Sequence, residues 1–561
     1  MSSFAPDGQD DDSKNARFVS LLWTLKRAVD QAPPGSVPGV HYVHFHALRK
    51  DADYRDDLLG KMLESSDSGL RSLAEEVVAF SAHIHQGDSD SSPLDRDAVP
   101  LTRPVSATAV GSPPLDRGPA AGKGGVKALL LMLILVSLGV GIYVASATGL
   151  LQRMIQVRVE GSLAQDTHWH SGSTYRLSGL VFVEGNTVLT IEPGVRVIGE
   201  PGSALIVTRD ARINAHGSAQ DPIVFTSASP VGERHRGDWG GVVLLGNAPV
   251  NTPVAHIEGI DAGDPRGFFG GQADSDSCGI LQYVRIEYAG YEISKDNELN
   301  GLTLGGCGKG TILRFVQVHQ GLDDGIELFG GSANLSHVVI SGAADDGLDW
   351  DRGWTGFGQF IVIQQDSNAG DTGIEADNLD SDHDAIPRSA PTLSNVTIIG
   401  GRNPAVGQRG MVLRRGTAGM LQNVLITDFS LEAIDIRDRS TVEQIEQGAL
   451  RLEGLVFAGG LKDWLFEVEE GDGDDDGGFD EASLLPVDVG HEAIIPKRLL
   501  THAGPVWTAV DFVPEYDERL VRLAVQPPQG EFWDEAASFI GAIRPGARTS
   551  WLEGWTDFAE N

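Results

Sequence analysis

Two apolar strand patterns alternate along the second half of the chain. One reads Tyr283-Val284-Arg285-Ile286, Phe315-Val316-Gln317-Val318, His337-Val338-Val339-Ile340, Phe360-Ile361-Val362-Ile363, Asn395-Val396-Thr397-Ile398 and Asn423-Val424-Leu425-Ile426. The other follows each in turn: Gly301-Leu302-Thr303-Leu304, Gly325-Ile326-Glu327-Leu328, Gly347-Leu348-Asp349-Trp350, Gly373-Ile374-Glu375-Ala376, Gly410-Met411-Val412-Leu413 and Ala433-Ile434-Asp435-Ile436. Period-2 alternation of this kind predicts strands. Their recurrence at intervals of 20 to 40 residues predicts a solenoid, because one coil cannot bury its apolar face alone. Stacked as a parallel β-helix, the coils align Leu302, Ile326, Leu348, Ile374, Met411 and Ile434 as an inward ladder. Ahead of them, short runs such as Val188-Leu189-Thr190-Ile191 and Ala204-Leu205-Ile206-Val207 are broken by Glu192-Pro193-Gly194 and Glu200-Pro201-Gly202 turns.

The rest of the chain follows other periods. Residues 1–14 are polar and read as disordered. Helical spacing of apolar residues from Phe18 to Leu25, and again from Tyr54 to Ile84, predicts a small helical domain over 15–86, with a turn at Ser66-Asp67-Ser68-Gly69. Residues 87–126 are rich in Pro, Ser, Gly and Asp and read as a flexible linker. From Ala128 to Gln152 no residue is charged, so a transmembrane helix is expected at 127–151. The β-helix is expected over 160–440. Residues 441–561 break the repeat, with a short helix near Val442 to Leu450 and a Trp-rich tail. They are expected to cap the last coil, whose edge would otherwise be open.

Charge narrows the partners. The 561 residues carry a formal net charge of −36, which repels phosphate backbones and argues against nucleic acid as a partner. The 70 glycines suit a fold of many tight turns. The two cysteines, Cys278 and Cys307, each precede a strand of the same type in adjacent coils. One rung apart, they would bridge in an oxidising compartment; the alternative is two buried thiols. The expected topology is a bacterial inner-membrane protein with residues 1–126 cytoplasmic, facing an unknown cytoplasmic partner, and the β-helix in the periplasm or outside the cell.

Three segments repeat an acidic turn: Leu322-Asp323-Asp324-Gly325-Ile326-Glu327, Ala344-Asp345-Asp346-Gly347-Leu348-Asp349 and Gly370-Asp371-Thr372-Gly373-Ile374-Glu375. With the isoleucines and leucine inward, Glu327, Asp349 and Glu375 form an outward column about 4.8 Å apart. Stacked like charges need compensation by a cation, a basic ligand, an arginine or a shared proton. Carboxylate oxygens are the donors Ca²⁺ prefers, so Asp324, Glu327, Asp346, Asp349 and Glu375 are candidate Ca²⁺ ligands. Turn chemistry accounts equally for the Asp-Asp-Gly part. A second candidate is Asp472-Gly473-Asp474-Asp475-Asp476-Gly477, the opening of a Ca²⁺ loop whose twelfth position is Ser483 rather than Glu; a solvated acidic loop is the alternative. Histidines at 41, 44, 46, 83 and 85 have no fixed carboxylate or Cys beside them and read as ordinary polar positions.

Several segments resemble a known group: Gly237-Asp238-Trp239-Gly240-Gly241-Val242-Val243-Leu244-Leu245-Gly246, Leu281-Gln282-Tyr283-Val284-Arg285-Ile286-Glu287-Tyr288-Ala289-Gly290, Asn300-Gly301-Leu302-Thr303-Leu304-Gly305-Gly306, and in the tail Phe539-Ile540-Gly541-Ala542 with Gly554-Trp555-Thr556. They resemble bacterial exported right-handed parallel β-helix proteins of pectate-lyase-like fold, many of them lipoproteins. The resemblance implies the fold and an extracytoplasmic setting, and no reaction. The expected architecture is thus an all-β right-handed parallel β-helix ectodomain with one transmembrane helix and a small N-terminal α-helical domain. The function expected first is a membrane-anchored binding or scaffold protein, with Ca²⁺ supporting recognition of envelope polysaccharide or protein. One alternative is a polysaccharide lyase or glycoside hydrolase using Glu327, Asp349 and Glu375 as catalytic carboxylates with Arg352 as base. Another is a purely structural envelope element. Arg409, Arg414 and Arg415 are either ligand-binding groups or salt partners of the column, and Trp354 is the candidate sugar platform.

Overall fold

The computed structural model describes residues 52–63, 67–86, 156–291, 299–403, 406–459, 476–484, 492–500 and 512–559, with isolated positions at 22, 25, 28, 29, 37, 65 and 466. From Gln156 onward the strands join in one continuous parallel sheet wound coil upon coil. The inward ladder is in register: Val181, Leu205, Val242, Leu302, Ile326, Leu348, Ile374, Met411 and Ile434 pair in succession. None of the nine exposes measurable surface. Burying one such aliphatic side chain is worth roughly 1.5–3 kcal/mol, and removing one leaves a cavity that neighbouring rungs cannot fill.

Each long strand bends at one residue in the left-handed backbone region. These residues are Tyr283, Phe315, His337, Phe360, Asn395 and Asn423, with φ between 50° and 61°. Left-handed backbone is costly for non-glycine residues, and the side chains at this corner offset the cost by stacking. Tyr283 and Phe315 lie 4.4 Å apart and parallel within 2°, and Phe315–His337 and His337–Phe360 follow at 4.5 and 4.7 Å. The two asparagines instead bond to the C-terminal segment: Asn395 Nδ2 donates to Ala537 O and Phe539 O, and Asn423 Nδ2 to Val525 O.

The predicted limit of the solenoid at 440 falls short. Strand Leu450–Ala458 stacks on Gly419–Thr427 and is followed by Ile494–Ile495. Helix Arg439–Glu446 buries Val442 in the main core, and Ile445, Phe479 and Leu484 pack beside it, closing that end. Residues 512–559 do something else. They run back along the flank of the solenoid and contact one outward column from rung to rung. Asp557 exchanges two hydrogen bonds with Gln317, and Ala542 N–H donates to Thr397 Oγ1 at 2.8 Å. Between these anchors Val339 and Val362 are buried with Phe512, Ile543, Leu552 and Trp555. The tail is a strap, because this column is apolar where an ordinary solvated face would be polar.

Cys278 and Cys307 form a disulfide with a Cα–Cα separation of 5.7 Å, joining adjacent coils. Among the described residues no helix is long and apolar enough to cross a membrane. The segment at 127–151, the residues at 1–14 and the linker at 87–126 lie outside them.

Helices Ala52–Leu63 and Ser68–Gln86 are joined by a turn in which Asp67 Oδ1 accepts the N–H groups of Gly69 and Leu70. Leu58, Met62, Leu70, Ala74 and Val77 share a buried cluster with Ala344 and Ala369 from two solenoid turns. Such packing within one chain requires both parts on the same side of a membrane, whereas a crossing at 127–151 separates them. A thiol-labelling experiment decides between the two, because both native cysteines are tied in the disulfide. With Ser72→Cys and Val254→Cys, both at exposed positions, the packing predicts labelling of both by an impermeant maleimide from one side of the membrane. Labelling from opposite sides would rule out the packing.

Candidate functional site

The short strands of successive coils carry the acidic column, and the register is direct: Thr303, Glu327, Asp349, Glu375, Val412 and Asp435. Three acids in consecutive rungs are therefore stacked, with a threonine at one end and a valine at the other. Their neighbours in the turns have a separate task. Asp324 Oδ1 accepts the N–H of Asp346 at 2.9 Å, and Asp346 Oδ1 accepts that of Thr372 at 2.7 Å. Each aspartate thus satisfies a backbone donor of the next coil, and both are more than nine-tenths buried. Turn chemistry explains these two positions, with bonding between coils rather than within one turn.

Compensation runs unevenly along the column. Glu375 is bonded to Arg414, whose Nε also donates to Asp377 at 2.8 Å. Glu327 accepts from Asn300 Nδ2 and faces the charge of Glu258. Asp349, in the middle, has one buried carboxylate oxygen, Oδ1, with no hydrogen-bond partner. Burial, followed by the charges of neighbouring acids, raises the carboxyls of Asp324, Asp346 and Asp349 well above the usual range; burial does the same for Glu327. Glu375 is raised by burial too, against the pull of Arg414. Asp351, next along the strand, is pushed up to about 6 by burial and then by Asp377.

Five carboxyls in this space cannot all ionise without a countercharge. Their oxygens lie close enough to share a cation in two groups, Asp324–Glu327–Asp349 and Asp346–Asp349–Glu375, each within 4.8 Å. Asp349 belongs to both. The donors are all oxygen, which suits a hard divalent cation at 2.3–2.6 Å. Arg414 already neutralises the Glu375 end; among the described residues the first group forms no ion pair, and Arg352 offsets only part of the effect of burial on Glu327.

The other expected site residues divide clearly. Arg414, Arg415 and Arg409 are salt partners of acids: Arg415 pairs with Asp377 and Asp380, and Arg409 with Glu432 and Asp435. Arg352 lies 3.7 Å from Asp351 and over the ring of Phe329. Trp354 is not a sugar platform. It is fully buried in the core, its ring tilted 53° against that of Trp350 with centroids 5.6 Å apart, and its indole N–H on Ala333 O at 3.0 Å. Its loop position suggested exposure, but the loop turns inward. Of the second acidic motif, Asp476 accepts the backbone N–H groups of Gly478 and Phe479; Asp472 and Asp474 lie outside the described residues.

One feature had no signal in the sequence. The strap and three long strands enclose a groove of about 760 Å³, lined by Arg314, Ser336, His337, Phe532, Trp551 and Arg544 among others. Burial, with help from Arg314, brings the His337 imidazole down to about 4, so it is neutral near pH 7. The groove exists only because residues 530 to 551 come back over strands two hundred positions earlier.

A family model described as a pectate-lyase-like beta-helix domain matches residues 161–473. That is more than half of the chain, which therefore belongs to this family. No curated protein and no solved structure matches it.

The raised carboxyls give a signed pH dependence. Unfolded Asp and Glu titrate near 3.9 and 4.3. With folded values above these, the folded state binds the protons more tightly. That stabilisation is fully present below about pH 4 and is lost as pH rises through the raised values. In cation-free buffer, Asp349→Asn should exceed wild type by on the order of 1–2 kcal/mol near pH 8, or roughly 2–5 °C in Tm, and lose the advantage near pH 4. Thermal melts at the two pH values measure it. A variant equal to wild type at both would mean that Asp349 is not held in a charge-starved setting.

Proposed function

We propose that this family member is a membrane-anchored binding or scaffold protein whose β-helix holds one Ca²⁺ at Asp324, Glu327 and Asp349 and uses it to support recognition of an envelope polysaccharide or protein. The apolar segment at 127–151 is the anchor in this reading, and the β-helix lies in the periplasm or outside the cell; a crossing there excludes the packing of Leu58 and Met62 with Ala344 and Ala369, so this part of the reading stands or falls with the labelling experiment. The supporting observation is the buried, unpartnered Oδ1 of Asp349 at the centre of three stacked acids. An oxygen of that kind is costly unless something is bound to it.

The arginines argue against a lyase. A base must shed its proton, and Arg414 is instead held well above its ordinary value by Glu375 and Asp377, against the effect of its own burial. Arg352, the residue expected as base, lies 3.7 Å from Asp351, and the arginines at 409 and 415 are likewise engaged with carboxylates. A hydrolase retains one supporting feature, since raised carboxyls are what a general acid needs. It remains the second reading.

Calcium titration of the full-length chain, followed by thermal unfolding and paired with a glycan panel, separates the possibilities. For the binding reading, Ca²⁺ at a hundredfold over Kd should add about 2.7 kcal/mol to wild type. Glu327→Gln/Asp349→Asn should show no such gain, and neither protein should turn over a glycan. Insensitivity of the wild type to Ca²⁺ would overturn the cation site. Glycan cleavage that disappears in the variant would replace binding by catalysis.

A further inference from the structure

A second set of donor atoms converges at the N-terminal end of the solenoid, far in sequence from the acidic column. Strand Thr167–Trp169 pairs with Val188–Ile191, and Trp169, opposite Ile191, points inward and is 2% exposed. With Trp169 inside, His168 and His170 both lie on the outer side. Their rings stack with centroids 4.5 Å apart and planes within 19°. Glu192 follows Ile191 on the next coil, its backbone N–H bonded to Trp169 O at 3.0 Å.

The carboxylate of Glu192 is held in place. Its Oε2 accepts the Ser171 N–H at 2.7 Å, and the Ser171 hydroxyl donates to Pro193 O at 2.7 Å. That leaves Oε1 facing both imidazoles, 2.9 Å from His168 Nε2 and 3.3 Å from His170 Nδ1. The Ser171 N–H, and after it the neighbouring His170, hold the Glu192 carboxyl below the usual range, so the oxygen is ionised.

We propose that His168, His170 and Glu192 form a surface site for Zn²⁺, with a fourth position open to water or an external ligand. Donors in a tetrahedral zinc site lie about 2.0–2.2 Å from the metal, which places them roughly 3.3 Å from one another. The two separations here are within about half an ångström of that figure, and all three donor atoms fall within 4.8 Å of each other. Two imidazole nitrogens beside one carboxylate select a borderline-soft ion rather than Ca²⁺. Ser171 performs the orienting task that partners of metal ligands usually perform. The site is thus chemically separate from the all-oxygen column and does not depend on it.

The test is calorimetric titration of the full-length chain with Zn²⁺ after chelator treatment. Excess Ca²⁺ is present to occupy the carboxylate column. Wild type is compared with His168→Ala, His170→Ala and Glu192→Gln, and a His41→Ala/His44→Ala/His46→Ala variant controls for the histidines clustered near the N-terminus. All three proposed ligands are at least one-third exposed, so the substitutions should leave the chelated protein's Tm unchanged. Glu192→Gln keeps an acceptor for the Ser171 N–H. The expected result is one Zn²⁺ site weakened at least tenfold in each of the three variants and unchanged in the control. Visible absorption of a tetrahedral Co²⁺ adduct should be lost in parallel. Undiminished Zn²⁺ affinity in His168→Ala and His170→Ala would overturn the proposal.

Discussion

The register between coils is the constraint on which the rest depends. Each backbone hydrogen bond between rungs fixes not one residue but a whole column, since the side chains above and below must then share a direction. Inside, this produces the dry ladder from Val181 to Ile434. Outside, the same constraint turns a repeated strand pattern into stacks of like groups. Where the stack is aromatic, as from Tyr283 to Phe360, repetition is favourable. Where it is acidic, as at Glu327, Asp349 and Glu375, repetition is costly and demands a countercharge.

Among the described residues, ion pairs supply that countercharge toward one end. Arg414 sits between Glu375 and Asp377, and Arg437 pairs with Asp435. At the Glu327 end, among the described residues, the hydrogen-bond donor is Asn300, which is neutral, and the charge of Arg352 offsets only part of the effect of burial. The acidic face is therefore graded: internally neutralised toward the C-terminal coils, and short of positive charge toward the N-terminal ones. The proposed cation site rests on this gradient.

Much of this could be read from residue order, and the parts that could not share a physical reason. The inward ladder, the adjacent-coil disulfide and the acidic column all follow from counting within a repeat, because parallel coils place equal offsets at equal heights. The strap could not be counted. Residues 512–559 have little regular secondary structure, and Ile543 or Trp555 is placed by the apolar column it covers rather than by its own neighbours. The left-handed corner was half visible: Asn395 and Asn423 are ordinary residues for that conformation, whereas Tyr283, Phe315 and Phe360 look like strand formers and are held there by stacking. The glycines flanking Trp354 suggest an exposed loop, whereas they let the chain fold into the core, where Trp354 is fully buried. His168, His170 and Glu192 were overlooked because the two histidines meet the glutamate only across coils whose turns differ in length from the later repeat.

The strap has one further effect, on the order in which the molecule can be completed. A simple solenoid can seal each coil as it leaves the ribosome, using only what has already been made. Here Tyr288 Oη and His319 Nε2 both meet the carbonyl of Ala559. Early coils thus await residues 240 to 271 positions further along the chain, and the apolar flank stays uncovered until those residues have been made. The nascent chain carries a sticky side until the strap has emerged, a natural place for a holding chaperone to act.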